Sequence, residues 1–243
     1  MTMRTFLLLA LLLALLMEPF AASAKSIEVF VALCDNESQG IAPVPKKIGN
    51  GDDPANNLYW GCSDGMKSYF KNSRKWTLVK AEKPAEGHIL ERLTFTHKAS
   101  KTTLVAHAYR GRNMKECLED FLTATRDAGK GDLVAFIGHN GLMDTQIKMP
   151  RPAAEDDEAS SSIVLCCISE GYFIRALSSS NSRPLVLTSQ LMYPGSFILH
   201  DSIEIWLKNG SRTAHREAAS KAYAKNQKIS TKAARTIFAK LED

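Results

Sequence analysis

The stretches Leu133-Val-Ala-Phe-Ile137 and Ile163-Val-Leu-Cys166 decide the fold of this chain. Both are short and wholly apolar, which is typical of strands in a parallel sheet that helices cover on both faces. Each is followed closely by a reactive side chain, His139 in the first case and Cys167 in the second. The two stretches therefore predict buried strands whose carboxyl ends carry the chemistry of the protein.

Strand-like and helix-like segments alternate on both sides of this pair. Further strands are predicted over residues 26–33, 76–80, 89–98, 102–109 and 185–188, and helices over residues 58–70, 113–126, 172–177 and 196–207. Such alternation, with apolar strands, predicts one α/β domain over residues 25–207 with a mainly parallel sheet between helical layers.

The composition is that of an ordinary globular protein. Of 243 residues, 44% are hydrophobic and 23% are charged, which excludes a disordered, collagen-like or small disulfide-scaffold chain. The cysteines are too few to form the skeleton of the fold, and none are spaced Cys-x-x-Cys: Cys34, Cys62, Cys117, Cys166 and Cys167. We therefore expect neither a metal site nor a cofactor.

The first 24 residues have the pattern of a secretory signal peptide. A basic start, residues 1–4, precedes the apolar run 6–17, and Ala22-Ser-Ala24 supplies a small-x-small cleavage signal. A membrane anchor needs about 17–25 apolar residues, and this run is shorter. The sequence thus predicts removal of residues 1–24, no membrane span, and export to the periplasm or the extracellular space.

The C-terminal segment, residues 208–243, is basic and rich in alanine. It holds nine Lys or Arg residues against three Asp or Glu, while the whole chain has a net charge of +5. Asn226 and Ser230 predict a break into two helices, with Ser230 as an N-cap. The favoured interpretation is a helical tail packed on the domain. A basic surface for an anionic partner is the alternative, and we do not expect nucleic acid binding.

The ends of the two central stretches can place a thiol beside an imidazole. Neighbouring strands lie about 4.8 Å apart, so side chains at adjacent strand ends can converge. A Cys next to a His is an activated nucleophile with its own acid/base partner. Taken alone, His139 is expected to be a hydrogen-bonding loop residue and Cys167 a core residue; their placement after consecutive strands favours a dyad.

This arrangement resembles the superfamily of caspases, legumains, clostripains and gingipains. There, one strand ends in His-Gly and the next in a small residue followed by the catalytic Cys, as in Gly138-His-Asn-Gly141 and Cys166-Cys-Ile-Ser169. The resemblance implies a three-layer caspase-like fold and a cysteine peptidase acting on a peptide or protein. It makes Cys167 the nucleophile and His139 the general acid, with Asn140 and Cys167 N–H groups holding the oxyanion.

A second resemblance covers most of the chain after residue 24. The chain is similar to a group of exported bacterial proteins, for which no reaction is implied. The shared stretches are Val31-Ala-Leu-Cys-Asp-Asn36, Asn57-Leu-Tyr-Trp-Gly61, Gly138-His-Asn-Gly-Leu-Met-Asp144 and Leu187-Thr-Ser-Gln-Leu-Met192.

The chain departs from the superfamily pattern in three ways. Asn140 stands where the superfamily has the Gly whose N–H helps form the oxyanion hole. His139 and Cys167 are 28 positions apart, and the intervening acidic stretch 155–158 and Pro-rich turn leave little room for a crossover connection. No motif identifies a specificity pocket.

Four residues are candidates for substrate binding by position alone. Asp35 and Asn36 end the first strand, which we expect to be central, while Arg110 and Gln190 follow other strands. Asp35 binds a basic substrate group or orients a loop, and Arg110 pairs with an acidic group or is solvated. Asp144 either orients His139 or stabilises a turn.

Three functions compete at this point. The first is an exported cysteine peptidase, and the second is a non-catalytic binding or scaffold module of the same fold. The third is a thiol-redox role for Cys166 and Cys167, which strand alternation disfavours because the two side chains point apart. A disulfide between Cys34 and Cys167 would form a switch if the two Cα atoms came within about 4.4–6.8 Å.

Overall fold

The computed structural model describes residues 25–129, 131–152 and 159–242. The predicted signal peptide, residues 1–24, and the acidic stretch 155–158 lie outside the described residues. Within the described part of the chain, no helix is long and apolar enough to cross a membrane.

The described residues form a seven-stranded sheet with the order β2-β3-β4-β1-β5-β6-β7. Its strands are β1 (Ser26–Ala32), β2 (Trp76–Glu82), β3 (Ile89–His97), β4 (Thr103–Tyr109), β5 (Leu133–Ile137), β6 (Ser160–Leu165) and β7 (Ser182–Val186). The strands from β4 to β7 pair in parallel, and β3 pairs antiparallel with both β4 and β2 at one edge. The predicted mainly parallel α/β sheet is confirmed, and β1 is its central strand.

Helices cover both faces of the sheet. They are α1 (Met66–Asn72), α2 (Met114–Asp127), α3 (Ser169–Ser179), α4 (Ser196–Trp206), α5 (Arg212–Gln227) and α6 (Thr231–Arg235). Side chains of α2 and α3 pack into one apolar core, and those of α1, α4, α5 and α6 into the other. Alternate residues of β1 serve the two cores, Val29 and Val31 on one face and Phe30 and Ala32 on the other, as a two-residue period requires.

The predicted helix over residues 58–70 is wrong at its start. Residues 58–65 form turns, and α1 begins only at Met66. The amide of Asn57 causes this, because its Oδ1 accepts from the N–H of Tyr59 at 3.1 Å and holds the chain in a turn. The N–H of Met66 then donates to the carbonyl of Tyr59 at 2.9 Å, which folds the segment back on itself.

The described part of the connection from β5 to β6 contains little regular structure. In its described part it contains the 3-10 turn Gly141–Met143, and β5 and β6 nevertheless pair in parallel from Leu133↔Ser161 to Ile137↔Leu165. The side chain of Asn140 caps the turn by accepting from the N–H of Leu142 at 3.2 Å.

The basic C-terminal segment folds into α5 and α6 and shares the core of the sheet. Ser230 caps α6 by accepting from the N–H of Ala233 at 3.1 Å, so the predicted break into two helices and the N-cap at Ser230 are confirmed. The break does not begin at Asn226, because α5 continues to Gln227. Tyr223 and Phe238 are buried in the same core as α4 and β7. A bridge between Thr188 and Phe238 joins the tail to the segment after β7.

One buried amide fixes the loop that follows β1. Asn57 is fully buried and bonds both the N–H (3.0 Å) and the carbonyl (2.8 Å) of Cys34. Its Nδ2 also donates to the carbonyl of Asn50 at 3.0 Å. Because each buried polar group left unpaired costs about 1–3 kcal/mol, this side chain carries much of the loop's stability.

We therefore expect Asn57→Ala to lower the free energy of unfolding by about 3 kcal/mol or more. The matched control is Asn56→Ala, since Asn56 is half-buried and its amide bonds only Asp53 among the described residues. The control should cost less than about 1 kcal/mol. Urea denaturation of both variants measures the difference, and equal midpoints would contradict the role given to Asn57.

Candidate functional site

The parallel register of β5 and β6 brings the two reactive residues to one edge of the sheet. Ile137 pairs with Leu165, and the N–H of Gly138 donates to the carbonyl of Leu165 at 3.2 Å. His139 lies two residues after Ile137, and Cys167 lies two residues after Leu165. In-register residues of parallel strands point to the same face, so both side chains are placed on the α1/α4 side of the sheet.

His139 is held by a carboxylate. The imidazole is only 8% exposed, and its Nε2 lies 2.5 Å from Oδ2 of Asp144, which also accepts from the N–H of Gly40 at 3.1 Å. An ionised carboxylate can only accept, so Nε2 carries the proton in this contact. The Nδ1 atom has no hydrogen-bond partner among the described residues and is left for proton exchange.

The two adjacent cysteines lie on opposite faces. Cys166 is fully buried in the core of α2 and α3, and burial raises the pKa of its thiol well above the ordinary value. Cys167 is half-buried, and its Sγ accepts from the N–H of Met192 at 3.4 Å. Cys167 is therefore the more accessible thiol of the pair.

The turn after Cys167 is strained. Ile168 has φ 51° and ψ 39°, a left-handed conformation that is a clear outlier for a β-branched residue. Neighbouring bonds hold it there: the N–H of Ile168 donates to the carbonyl of Gln190 at 3.1 Å, and Thr188 Oγ1 donates to the carbonyl of Cys166. Strain of about 1–3 kcal/mol persists where the surroundings impose it, and such residues cluster at functional sites.

Two backbone N–H groups follow the ends of β5 and β6. The N–H groups of Asn140 and Cys167 donate to no acceptor in the described part of the chain. Their residues are in contact, since Nδ2 of Asn140 donates to the carbonyl of Cys167 at 2.7 Å. Paired N–H groups of this kind can stabilise negative charge that develops on a carbonyl oxygen.

Sequence reasoning missed Tyr59, a buried neighbour of the candidate site. Burial raises the pKa of its phenol well above the ordinary value, and the nearby thiols Cys34 and Cys167 raise it further. The phenol therefore lies close to both thiols. The only signal for it was the aromatic stretch after Asn57, which the sequence placed in a helix.

The sheet order argues against a disulfide between Cys34 and Cys167. Cys34 follows β1 and Cys167 follows β6, with β5 between these two strands. Two spacings of about 4.8 Å exceed the Cα separation of about 4.4–6.8 Å that a disulfide accepts. All five cysteines are free thiols in the structure.

Two of the candidate substrate-binding residues brace the loop after β1. Asp35 accepts from the N–H of Glu37 at 3.1 Å and from the hydroxyl of Ser38 at 2.6 Å. The amide of Asn36 bonds the N–H and the carbonyl of Val44 at 3.0 and 2.7 Å. Both side chains also line a cavity of about 290 Å³, so their bonds shape its wall.

The other two candidates, Arg110 and Gln190, differ in whether their side chains already have a partner among the described residues. Arg110 pairs with Asp52 at 2.6 Å, and Arg112 contacts the other oxygen of the same carboxylate. Burial opposes ionisation of Asp52, but the two guanidinium groups outweigh it and hold its pKa below the ordinary value. Gln190 is exposed and contributes its main-chain carbonyl to the turn at Ile168.

The site's chemistry is that of a thiol and a carboxylate-held imidazole beside two free N–H donors. Within the described residues, no group of three or more His, Cys, Asp or Glu side chains could hold a metal ion. A thiol and an imidazole are the groups that acyl transfer through sulfur uses elsewhere.

Thiol alkylation should follow this geometry. We expect iodoacetamide to modify Cys167 and Cys62, which are half-buried, and to leave Cys34, Cys117 and Cys166 protected until the protein unfolds, because these three are fully buried with raised pKa values. Peptide mapping by mass spectrometry gives the order. Modification of Cys166 before Cys167 would contradict this order and make Cys166 the accessible thiol of the pair.

Stability should fall at alkaline pH through Cys34. Burial raises the pKa of this thiol from 9.0 to about 11, and the bond from Tyr59 only partly offsets it. The folded state then keeps a proton that the unfolded chain loses, so stability is full below pH 9 and declines between pH 9 and about pH 11. A difference of two pKa units between the folded and the unfolded state corresponds to a loss of roughly 2–3 kcal/mol in the free energy of unfolding.

Urea denaturation between pH 8 and 11 tests this against Cys34→Ala, which removes the titrating group. The variant should lose less stability over this range than the natural chain. Parallel curves for the two proteins would contradict the assignment.

No family model, curated protein or solved structure matches this chain, so the candidate site rests on its own geometry.

Proposed function

We propose that the chain is an exported cysteine peptidase of the caspase and legumain type, built on a caspase-like α/β fold. One observation carries the proposal: neighbouring parallel strands end in His139 and Cys167, and the N–H groups beside them have no acceptor among the described residues. A nucleophile, its acid/base partner and an oxyanion site are thereby supplied at one sheet edge.

The first step forms an acyl-enzyme. His139 takes the proton of the Cys167 thiol, and the thiolate attacks the carbonyl carbon of a peptide bond while the C=O electron pair moves onto oxygen. The N–H groups of Asn140 and Cys167 hold this oxyanion. The C–N bond then breaks, and His139 returns its proton to the departing amine.

The second step releases the product. His139 takes a proton from water, the water oxygen attacks the thioester carbon, and the C–S bond breaks. The proton on His139 then restores the Cys167 thiol. Asp144 keeps the imidazole in one orientation throughout, because its carboxylate accepts from Nε2 and leaves Nδ1 to take and return the proton.

Export and the choice of partner belong to the same proposal. Export rests on the pattern of residues 1–24, and the partner is a peptide or protein chain. Lys221 and Lys225 are exposed one turn apart on α5, and the exposed Lys228 follows its C-terminus, which supports contact of the basic tail with an anionic surface.

A non-catalytic binding or scaffold protein is the second candidate. It is favoured by the internal use of three predicted substrate-binding groups, since Asp35 and Asn36 brace a loop and Arg110 pairs with Asp52. Under this hypothesis the strained turn and the His139–Asp144 pair would only stabilise the conformation of the loops at this edge of the sheet.

Cleavage of a peptide library by the chain from residue 25 onward separates the two candidates. We expect Cys167→Ala to abolish cleavage and His139→Ala to lower kcat/KM by about 10²–10⁴-fold, the usual contribution of a general acid/base. Asp144→Asn should lower kcat by at least about tenfold, since it weakens the hold on the imidazole.

The matched control is Cys62→Ala, which removes the other half-buried thiol. It should cleave at the rate of the natural chain. Labelling of Cys167 by an acyloxymethyl ketone gives an independent readout. A natural chain that neither cleaves nor labels would favour the scaffold.

A further inference from the structure

The side chain of Asn140 joins the two loops that carry the reactive residues. Asn140 is fully buried. Its Nδ2 donates to the carbonyl of Cys167 at 2.7 Å, and its Oδ1 accepts from the N–H of Leu142 at 3.2 Å. One amide thus bonds the residue of the proposed nucleophile and the turn that follows His139.

This bond completes the fixing of the Cys167 backbone. On the β7 side, Thr188 Oγ1 bonds the carbonyl of Cys166, and the carbonyl of Gln190 accepts from Ile168. On the β5 side, the described residues offer the carbonyl of Cys167 one donor, the Asn140 amide. Without it, the strained turn would be held from one side only.

The amide also relates the two oxyanion donors to each other. One donor is the N–H of Asn140 itself, and the other is the N–H of Cys167, whose carbonyl the amide binds. A bond between these two residues limits how far their N–H groups can move relative to each other. Displacement by about 1 Å in a catalytic constellation costs about 10²-fold in rate.

We propose that the Asn140 side chain is a positioning group that sets the geometry of the oxyanion site without touching the substrate. This inference rests on the proposed peptidase function and adds a role to a residue predicted to act through its backbone. The side chain therefore adds a hydrogen bond between the loops that a Gly at this position could not make.

Asn140→Asp tests the bond selectively. The carboxylate can still accept from Leu142, but it cannot donate to the carbonyl of Cys167 and repels it instead. We expect kcat to fall by about 10²-fold at pH 7.5 while KM changes less than about threefold, because only the transition state uses the oxyanion site.

The pH profile distinguishes positioning from a general loss of structure. Burial raises the pKa of a carboxyl group, and the protonated acid can donate to the carbonyl again. The ratio of kcat in the variant to kcat in the natural chain should therefore rise about tenfold as the pH falls from 7.5 to 5. A variant that is merely destabilised would lose further activity over this range.

The control is Asn113→Asp, which makes the same chemical change at a half-buried Asn whose side chain caps no helix. It should keep the natural kcat at both pH values. Thermal unfolding and the alkylation rate of Cys167 report whether each variant is folded with its thiol accessible.

The outcomes separate this inference from the proposed function. A natural chain that cleaves no peptide refutes the peptidase, and the positioning role falls with it. A natural chain that cleaves, with a folded Asn140→Asp variant of unchanged kcat, refutes the positioning role alone. A low kcat without recovery at pH 5 also refutes it, in favour of a structural role.

Discussion

The parallel register of β1, β5 and β6 is the constraint on which the site depends. Val31, Ile137 and Leu165 lie side by side across these strands. A shift of one residue between β5 and β6 would move every side chain to the other face. The side chain of Cys166 would then share the face of His139, and that of Cys167 would point into the α2/α3 core.

Packing must specify this register, because strands that are apolar on both faces carry no alternation to do so. The rings of Phe121, Phe136 and Phe173 meet with centroids 5.7–6.2 Å apart and fix β5 against α2 and α3. Gly138 lies close behind: a Cβ there would come within 3.1 Å of the Phe136 ring and 3.2 Å of the carbonyl of Ala32. The strand end next to His139 therefore tolerates little displacement.

Sequence patterns predicted those parts of the structure that depend on local chemistry or on apolar runs. The strand Leu133–Ile137 has the expected bounds, and the cap at Ser230 is a local hydrogen bond. The helix over 58–70 failed at its start because the amide of Asn57, which holds the turn at Tyr59, is itself fixed by bonds to Cys34, and no local pattern reports such distant contacts. The succession of two apolar strands predicted the pair of His139 and Cys167. The side-chain bond of Asn140 and the nearness of Tyr59 are long-range contacts, and the sequence did not predict them.

The sheet order that brings the imidazole and the thiol to one edge also keeps the thiol of Cys167 apart from those of Cys34 and Cys166. β5 separates the strand leading to Cys34 from the strand leading to Cys167, and Cys166 points to the opposite core. Cys34 and Cys166 are further protected because burial raises their pKa values and keeps them protonated at neutral pH. For a protein proposed to act in an oxidising compartment, this matters, since a nucleophilic thiol survives there only without a partner in reach. One architectural feature, the position of β5 between β1 and β6, thus brings His139 to the strand end next to Cys167 and keeps Cys34 one strand further away.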